Sequence, residues 1–451
     1  MGGQLASFFV RHHRFPCSLA NDLDDGYHDA IVTGGSDETS EDAGVRLPCG
    51  HGVHTRRRAR RVPFAFPKPA GGMSSESSPR LGALLAVPPL LIGAAAFNAA
   101  LVAELSKVTD LRLISWKRPY PPFLYRRGVY ATQPPPEGAE FLVDWLDMRT
   151  WRRALEQWST QQVEALLLPW LHPIWAPQYR WLLRRRPAPA AVICHNVLPH
   201  EPMALLRPVT RAALSSADLF VTHAPHQAAE LAELGLGTTP VLELFHPRFP
   251  VTRSEDVDAQ LALRRRYGDP ATLLLMYGAV RPYKGLDIAL AALARVVAEG
   301  LDVRLLVAGR FWDSRKRYVD LVHTHGLEEF VAFDDRYIPD DESAVMFAAA
   351  DLTLLPYLSA SQSGVAQLAL AYGCPVVATA VGGLPDALRD GYDGVLVEPT
   401  VEGLADGIRS AITRLPQLRG TCAWSGGDFS FRRYAELLAE RLLHLEAQPP
   451  T

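Results

Sequence analysis

The sequence predicts an α/β protein with two doubly wound domains, preceded by a disordered N-terminal extension. From about residue 82 onward, short and uniformly apolar runs alternate with helical patterns. Runs of this kind are typical of strands buried on both faces of a parallel sheet. They fall into two series separated near residues 246–260, and the 451 residues are more than one core usually serves.

Each series supplies enough strands for one parallel sheet. A strand at Leu84–Val87 and a helix at Ala95–Lys107 open the first series. The stretch 81–105 is also long enough to span a bilayer, but the prolines in its middle favour a strand, a loop and a helix. Further strands are predicted at 111–116, 165–170, 190–196, 218–224 and 240–245, and in the second series at 272–280, 303–310, 330–338, 351–357, 375–381 and 394–398.

Residues 1–80 differ in composition from the rest of the chain. They combine acidic and small residues, the basic run HTRRRARR at 54–61, and a segment rich in Pro, Gly and Ser. Such a composition predicts disorder. The sequence leaves open whether translation starts at Met1 or Met73. The predicted units are a disordered extension at 1–80, domains at 81–250 and 255–425, and an amphipathic C-terminal helix at 426–447.

Charge and cysteine content exclude several classes of protein. The 46 basic and 49 acidic residues give a net charge of −3 and are mixed along most of the chain, which argues against a nucleic-acid partner. The five cysteines are scattered without CxxC spacing, so neither a disulfide framework nor a metal site is expected. We therefore predict a cytoplasmic protein without a metal or cofactor.

The turn after the first strand of the second domain reads YGAVRPYKG. Gly278 allows a tight turn, and Arg281 and Lys284 place two cations at the start of the next helix. Unpaired N–H groups at a helix start already favour an anion, and ligands of open α/β sheets lie beyond the carboxyl ends of the strands. A diphosphate is the expected ligand. The simpler alternative is that both basic side chains are exposed to solvent and bind nothing.

A second candidate for anion binding follows the predicted strand at 351–357. Ser361, Gln362, Ser363 and Gly364 precede a helix and offer hydroxyls together with free backbone amides. Helix capping by one of the serines is an alternative that does not exclude this role. The next turn contains Gly382 and Gly383, which either approach the ligand or form a simple tight turn.

Titratable residues follow two strands of the first domain. His195 and Asn196 end one strand, and His200 and Glu201 follow in the loop, while His223 ends the next strand. Such groups at the mouth of a buried strand are candidates for substrate contact, against the alternative of a structural or solvated histidine. Aromatic residues in PWLHPIWAPQ either line an acceptor groove or pack under a loop, and packing is favoured.

Several segments taken together resemble the family-4 type bacterial glycosyltransferases of the GT-B fold. In the second domain these are GAVRPYKGLDIAL, AADLTLLPY, SQSGVAQLALAYGCPVVAT and VGGLPDALRDGYDGVLV, and in the first ISWKRPYPPFLYRRG and CHNVLPHE. The resemblance covers roughly residues 82–445. It implies two Rossmann-like domains facing across a cleft, with the C-terminal helix returning to the first domain.

The resemblance also implies roles for the candidate residues. The second domain would hold a nucleotide-sugar donor through Gly278, Arg281, Lys284, residues 361–364, Gly382 and Gly383. The first would hold a glycan, lipid-linked or small-molecule acceptor, with Gly93, Asn98, Asn196, His200 and Glu201 on that side. Transfer would retain the anomeric configuration without a metal. Arg281 and Lys284 would neutralise the leaving diphosphate, and His195 is the further catalytic candidate. A lipid-linked acceptor would bring peripheral contact with the inner face of the membrane.

The chain departs from the family pattern at its pair of glutamates. Leu368 takes the position of the second glutamate, and the first falls near Ala360. The glycine-rich loop of the first domain is reduced to IGAAAFN, in which Gly93 is the lone glycine. Two alternatives therefore stay open, a nucleotide-sugar epimerase of the same architecture and a non-catalytic relative that binds nucleotide sugars.

Overall fold

The computed structural model describes residues 78–90, 94–120, 134–198, 206–360, 362–424 and 429–446. Two wholly parallel sheets lie within the unit formed by residues 73–451. Predicted site residues Gly93, His200, Glu201 and Ser361 lie outside the described residues, as does nearly all of the predicted extension at 1–80.

The first sheet has seven strands in the order β3-β2-β1-β4-β5-β6-β7. Its central strands are almost completely buried because helices cover both faces. The first strand begins at Arg80, four residues before the predicted Leu84–Val87, and β3 has too many polar residues to stand out in the sequence. The strands are β1 (Arg80–Leu84), β2 (Asp110–Arg118), β3 (Glu140–Asp144), β4 (Ala165–Trp170), β5 (Ala190–Cys194), β6 (Leu219–Thr222) and β7 (Val241–Glu243).

Helices of the first half divide between the two faces of this sheet. The first packs on one face, and the next four share a core cluster on the other. Trp170 and Trp175 are fully buried in the cluster that these four helices share. Of the two alternatives for these tryptophans, packing is therefore confirmed. The helices are α1 (Ala95–Val108), α2 (Met148–Thr160), α3 (Ala176–Leu183), α4 (Leu206–Leu214) and α5 (Pro225–Glu233).

The second sheet has six strands in the order β10-β9-β8-β11-β12-β13. The strands are β8 (Thr272–Tyr277), β9 (Val303–Ala308), β10 (Val331–Asp334), β11 (Leu352–Leu355), β12 (Val376–Thr379) and β13 (Gly394–Val397). One helix precedes this sheet in the chain, α6 (Val257–Arg266). The helices that follow β8 are α7 (Leu286–Ala298), α8 (Arg315–Thr324), α9 (Asp340–Ala349), α10 (Gly364–Tyr372), α11 (Leu384–Ala387), α12 (Val401–Thr413) and α13 (Leu415–Trp424). This is the strand order of a Rossmann-like domain, and the predicted fold class is confirmed.

The last helix, α14 (Phe431–Leu443), packs against α1 of the first half. Phe431, Tyr434 and Leu438 enter the core cluster that α1 shares with the first sheet. A buried ion pair between Arg248 and Asp393, 3.4 Å apart, also joins the two halves. None of the helices in the described part of the chain is long and apolar enough to cross a bilayer.

Candidate functional site

A large cavity lies where the second sheet reverses its strand order. Strands β8 and β11 are neighbours there, but their outgoing chains turn to opposite faces and leave a crevice beyond their carboxyl ends. The cavity has a volume of about 1230 Å³. On the second half it is lined by the loops after β8 and β11 and the starts of α9 and α10, and on the first half by α1 and residues 249–256.

Glycines bring the loops after β8 and β11 together. Gly278 has a φ of +88° and lines the cavity, with the ammonium nitrogen of Lys284 3.4 Å from the point where a Cβ would stand. Gly285, at a φ of +67°, begins α7, and a side chain there would collide with the carbonyl oxygen of Pro356. The amide of Leu358 donates to the carbonyl of Tyr283 at 2.8 Å. Sequence reasoning singled out Gly278 but not Gly285. A glycine is required at 285 because of the nearby carbonyl of Pro356, which belongs to a loop distant in the sequence.

Lys284 is a buried cation on the cavity wall. Its side chain is 7% exposed, and its ammonium nitrogen lies 5.5 Å from the ring centroid of Tyr357. Burial, opposed by Tyr283 and assisted by the nearby charge of Arg281, lowers the pKa of Lys284 to about 8. It makes no ion pair with any described residue. A buried amine facing a cavity without a counter-ion is poised to bind an anion.

The start of α10 lines the same cavity. Ser363 caps the helix by accepting a hydrogen bond from the amide of Ala366 at 3.2 Å, so the capping alternative is correct. The same hydroxyl interacts with the buried Tyr357, which also contacts Lys284. Gly364, the first residue of the helix, also faces the cavity, and a Cβ on it would approach only Phe249, at 3.7 Å. The positive end of the helix therefore points to the space beside Lys284.

Arg281 does not join Lys284 in the cavity wall. Its guanidinium lies 4.4 Å from the ring centroid of Trp312, an exposed side chain, and Arg281 is itself exposed. The expected pairing of the two cations in one diphosphate site is therefore not present in this conformation. Arg281 is still close enough to lower the pKa of Lys284.

Gly382 and Gly383 do not line the cavity. Gly382 has a φ of +52°, and a side chain there would collide with the carbonyl oxygen of Ala360. The glycine therefore lets the loop before α11 pass close to the loop before α10. The positive φ of Gly382 agrees with the tight-turn alternative, and the approach of Gly382 and Gly383 to a ligand stays a prediction.

The cavity wall carries an apolar residue where the family pattern has a carboxylate. Leu368 on α10 and Ala360 both line it. Carboxylates do reach the cavity from elsewhere: Asp340, Asp341 and Glu342 at the start of α9, and Asp256 before α6. Glu342 is paired with Arg336, so it is already neutralised by a neighbour.

Three histidines gather at the carboxyl edge of the first sheet, and we call them the histidine cluster. His195 follows β5, His223 follows β6, and His246 comes three residues after β7. All three pack edge-on to Phe97 of α1, with ring centroids 5.0, 5.4 and 5.3 Å away. Within the described residues, no three His, Cys, Asp or Glu side chains form a group that could hold a metal ion.

Burial keeps this cluster uncharged near neutral pH. Desolvation lowers the pKa of His195 to about 3 and that of His246 to about 4, and it lowers the pKa of His223 well below its usual value. The Nε2 of His195 is buried without a hydrogen-bond partner among the described residues, and His195 does not line the large cavity. As a catalytic candidate, His195 would act as a neutral imidazole.

Of the predicted acceptor-side residues, Asn98 and Asn196 lie in the described part of the chain. Asn98 is completely buried on α1, and its amide donates to the carbonyl of Ala86 at 2.8 Å. Contact of Asn98 with an acceptor stays a prediction. Asn196 lies half-buried after β5. Gly93, His200 and Glu201 fall outside the described part of the chain, so their roles stay predictions.

Gln362 connects the two halves at this site. Its side-chain amide lines the cavity and donates to the backbone carbonyl of His223 at 2.9 Å. His223 in turn pairs with the hydroxyl of Tyr434 on α14, 2.9 Å away. The sequence singled out Gln362 and His223 separately. Sequence reasoning did not single out Tyr357, Tyr434 or His246 as residues of this site. Of the three, only His246 carried a signal in the sequence, because it follows shortly after a predicted strand.

Comparison with known proteins agrees with this architecture. Residues 271–414 match the family model described as "Glycosyl transferases group 1". A D-inositol 3-phosphate glycosyltransferase of Mycobacterium sp. (strain JLS) is 36% identical over 191 residues, which cover 41% of this chain and 42% of the relative. The one from Geodermatophilus obscurus is 31% identical over 287 residues, covering 58% of this chain and 62% of the relative. The chain thus spans less than two thirds of these relatives.

Solved structures share the fold at low sequence identity. Sucrose-phosphate synthase from Thermosynechococcus elongatus superposes with a TM-score of 0.61 at 18% identity, covering 80% of this chain and 98% of that one. Anabaena HepE in complex with UDP has a TM-score of 0.62 at 15% identity, covering 81% and 100%. The chain therefore has the predicted GT-B fold, and residues 271–414 are similar to the group 1 glycosyl transferases.

Proposed function

We propose that this protein is a glycosyltransferase that takes a sugar from a nucleotide-sugar donor. The observation that carries the proposal is Lys284. This buried ammonium group lies on the wall of a cavity of about 1230 Å³ and forms no ion pair with any described residue. A donor diphosphate placed there would be met by this charge and by the positive end of α10. The GT-B fold and the matched domain at 271–414 support the same assignment.

The proposed chemistry is stabilisation of a leaving diphosphate. When the bond between the sugar and the phosphate breaks, negative charge develops on the departing oxygen, and preorganised cations lower the barrier at that point. Lys284 is already desolvated and close to this position. The guanidinium of Arg281 lies on the Trp312 ring, outside the cavity. It would have to leave this ring before it could add its charge to the stabilisation of the diphosphate. We infer retention of the anomeric configuration from the resemblance to retaining glycosyltransferases. The donor phosphate would assist the incoming acceptor, a step that does not need the glutamates missing at Leu368 and Ala360.

The acceptor would bind from the side of the first half. On that side the cavity is walled by the small side chains Ala96, Ala99 and Ala100 of α1. These leave space for a hydroxyl-bearing acceptor, and the charged residues Arg253 and Asp256 line the cavity on the same side. A glycan, a lipid-linked sugar or a small polyol fits this description. Curated relatives of the matched region are named for action on D-inositol 3-phosphate, which makes that compound a reasonable first acceptor to test.

The missing carboxylates favour one second candidate, a protein that binds nucleotide sugars without transferring them. Leu368 stands in the cavity wall where a ribose-binding carboxylate would be expected from the resemblance. Binding and turnover therefore have to be measured separately.

The test is a donor screen in two stages. UDP-, GDP- and ADP-sugars are first added to the purified full chain, and the melting temperature is measured with wild type, Lys284→Ala and Arg281→Ala. We expect at least one nucleotide sugar to raise the melting temperature of wild type and not that of Lys284→Ala. Release of free nucleotide is then followed with and without acceptors. A shift without turnover would support the binding-only candidate, and no shift with any donor would overturn the proposal.

A further inference from the structure

Arg281 rests on an exposed tryptophan outside the cavity. Its guanidinium carbon lies 4.4 Å from the ring centroid of Trp312, whose side chain is 61% exposed. Arg281 forms no ion pair with any described residue. The carboxylate of Asp313, the residue after Trp312, lies 3.4 Å from a guanidinium nitrogen of Arg317 and accepts from the hydroxyl of Tyr318 at 3.2 Å. An aromatic ring, and no carboxylate of the described residues, therefore holds the Arg281 side chain.

The turn that carries Trp312 is fixed to the turn that carries Arg281. Backbone pairing continues past the ends of β8 and β9, since the amide of Trp312 donates to the carbonyl of Val280 at 3.0 Å. Gly309 permits this close approach, because a side chain there would collide with the carbonyl oxygen of Gly278. The place of the ring beside Arg281 is therefore set by the backbone of the two turns.

The backbone of Arg281 is fixed as well, but its exposed side chain can change position. The carbonyl of Arg281 accepts from the amide of Lys284 at 2.9 Å, across the short 3₁₀ helix Pro282–Lys284. The guanidinium is already near enough to the ammonium group of Lys284 for its charge to lower the pKa of that group. An exposed contact between a cation and a ring is weak, about a factor of two to five in an equilibrium constant. Rotation of the side chain alone can therefore move this charge from the ring towards the cavity.

We propose that Trp312 is a positioning residue that holds Arg281 outside the cavity until a nucleoside diphosphate binds beside Lys284. The inference rests on the proposed function, because the diphosphate is the group that would draw the guanidinium from the ring. A carboxylate in place of Trp312 would neutralise the arginine, whereas an aromatic ring holds it with its charge intact. The ring also weakens diphosphate binding, since only molecules with Arg281 off the ring present both cations to the ligand.

Isothermal titration of the full chain with UDP, GDP and ADP tests the inference. Trp312→Leu should bind a nucleotide about two- to fivefold more tightly than wild type, because the arginine no longer has to leave a ring. Arg281→Ala should bind more weakly than wild type, and the double variant should bind like Arg281→Ala alone.

Two further variants serve as controls for the change at Trp312. Trp312→Phe keeps an aromatic ring, so it should bind the nucleotide less tightly than Trp312→Leu. Tyr392→Leu removes another exposed ring, which lies 5.9 Å from the guanidinium carbon of Arg389 and does not line the cavity. This matched control should leave the affinity as in wild type. Melting temperatures show whether each variant is folded.

Fluorescence of Trp312 reports directly whether the guanidinium lies on the ring. Its contribution is the difference between a protein and the same protein with Trp312→Phe. Acrylamide quenches exposed tryptophans, and a guanidinium stacked on the ring covers one face of it. Acrylamide quenching of Trp312 should therefore be greater in Arg281→Ala than in wild type. Adding the nucleotide should increase the quenching in wild type and leave it unchanged in Arg281→Ala.

The results separate this inference from the proposed function. The inference is overturned if folded Trp312→Leu binds no more tightly than wild type, if its gain persists in the double variant, or if the bound nucleotide leaves the quenching of Trp312 in wild type unchanged. Nucleotide binding that is lost in Lys284→Ala would still support the proposed function in each of these cases. If none of the three nucleotides binds wild type, the inference and the proposed diphosphate site both fail.

Discussion

The side-chain amide of Gln362 donates a hydrogen bond to the backbone carbonyl of His223, 2.9 Å away, and so joins the cavity wall of the second half to the first. His223 is held on its other sides as well. Its amide donates to Gln227 at 2.7 Å, and its Nε2 pairs with the hydroxyl of Tyr434 at 2.9 Å. The loop that precedes α10 is thus anchored to a rigid part of the first half.

Replacing Gln362 tests this connection. Gln362→Ala removes one partly buried hydrogen bond and should lower the free energy of unfolding by about 1 kcal/mol. Gln362→Glu should cost more, because at pH 8 a carboxylate would face the carbonyl oxygen of His223. Urea unfolding of the two variants measures both effects. A Gln362→Glu protein as stable as wild type at pH 8 would show that the two halves do not depend on this contact.

Lys284→Met should stabilise the protein while removing its anion site. The folded-state pKa of about 8 lies below the unfolded value of 10.5, so the unfolded chain binds more protons between these values. Stability therefore rises with pH through that window, and at pH 7 the charged amine is held at a cost on the order of 1–3 kcal/mol. We expect Lys284→Met to melt at a higher temperature than wild type at pH 7 and to give no shift with UDP.

The control for that variant is Arg281→Ala, which changes an exposed cation near the same site. Its effect on unfolding should stay within about 0.5 kcal/mol, because the side chain is not buried. Loss of stability in Lys284→Met would mean that the amine has a structural partner in solution.

Nucleotide affinity should depend on pH through the same amine. Lys284 loses its charge as the pH rises through about 8, so the affinity for UDP should fall above that pH, by up to about tenfold per unit. Isothermal titration between pH 7 and pH 9 measures this. In Lys284→Arg the guanidinium stays charged, and any remaining affinity should be constant over the range. A decline of equal slope in wild type and Lys284→Arg would exclude Lys284 as its origin.

The histidine cluster should make the protein sensitive to acid. His195 and His246 have folded-state pKa values of about 3 and about 4, below the unfolded value of 6.5. The unfolded chain therefore binds more protons between these values, so stability is complete above about pH 6.5 and is lost as the pH falls towards 4. We expect the urea concentration at the midpoint of unfolding to be lower at pH 5 than at pH 7.5.

A matched pair of variants assigns that acid sensitivity. His246→Asn removes one buried imidazole and should reduce the difference between the two pH values. His323→Gln changes an exposed histidine on α8 and should leave the difference as in wild type. If both variants respond alike, the cluster is not the source.

Much of the fold could be read from the sequence because buried parallel strands have a local signature. The runs at 272–280 and 351–357 contain β8 and β11, and each strand ends where its apolar run gives way to glycine or proline. One edge strand escaped this logic: β3 pairs on one side only, and its half-exposed residues lack a continuous apolar run. The start of β1 at Arg80 was missed for a similar reason, since its first residue is exposed.

The sequence predicted which turns form the candidate site, but not which of their side chains face the cavity. The turns after β8 and β11 follow from the strand pattern, and they bring Gly278, Lys284, Gln362, Ser363 and Gly364 to one cavity. The sequence alone cannot tell which side chains of a turn face inward. That is why Arg281, three residues from Lys284, lies on Trp312 instead, and why Gly382 serves the packing of its own loop.

The sequence by itself therefore determined the two sheets, their strand-end turns and the chemistry available in them, because these depend on residues close together along the chain. Only the tertiary structure decided that Lys284 is buried without an ion-pair partner among the described residues, that Asn98 donates to the carbonyl of Ala86, and that three histidines from different strand ends pack on Phe97. Burial and pairing are properties of distant segments that meet in space, and a pKa or an anion site depends on that environment more than on the residue type.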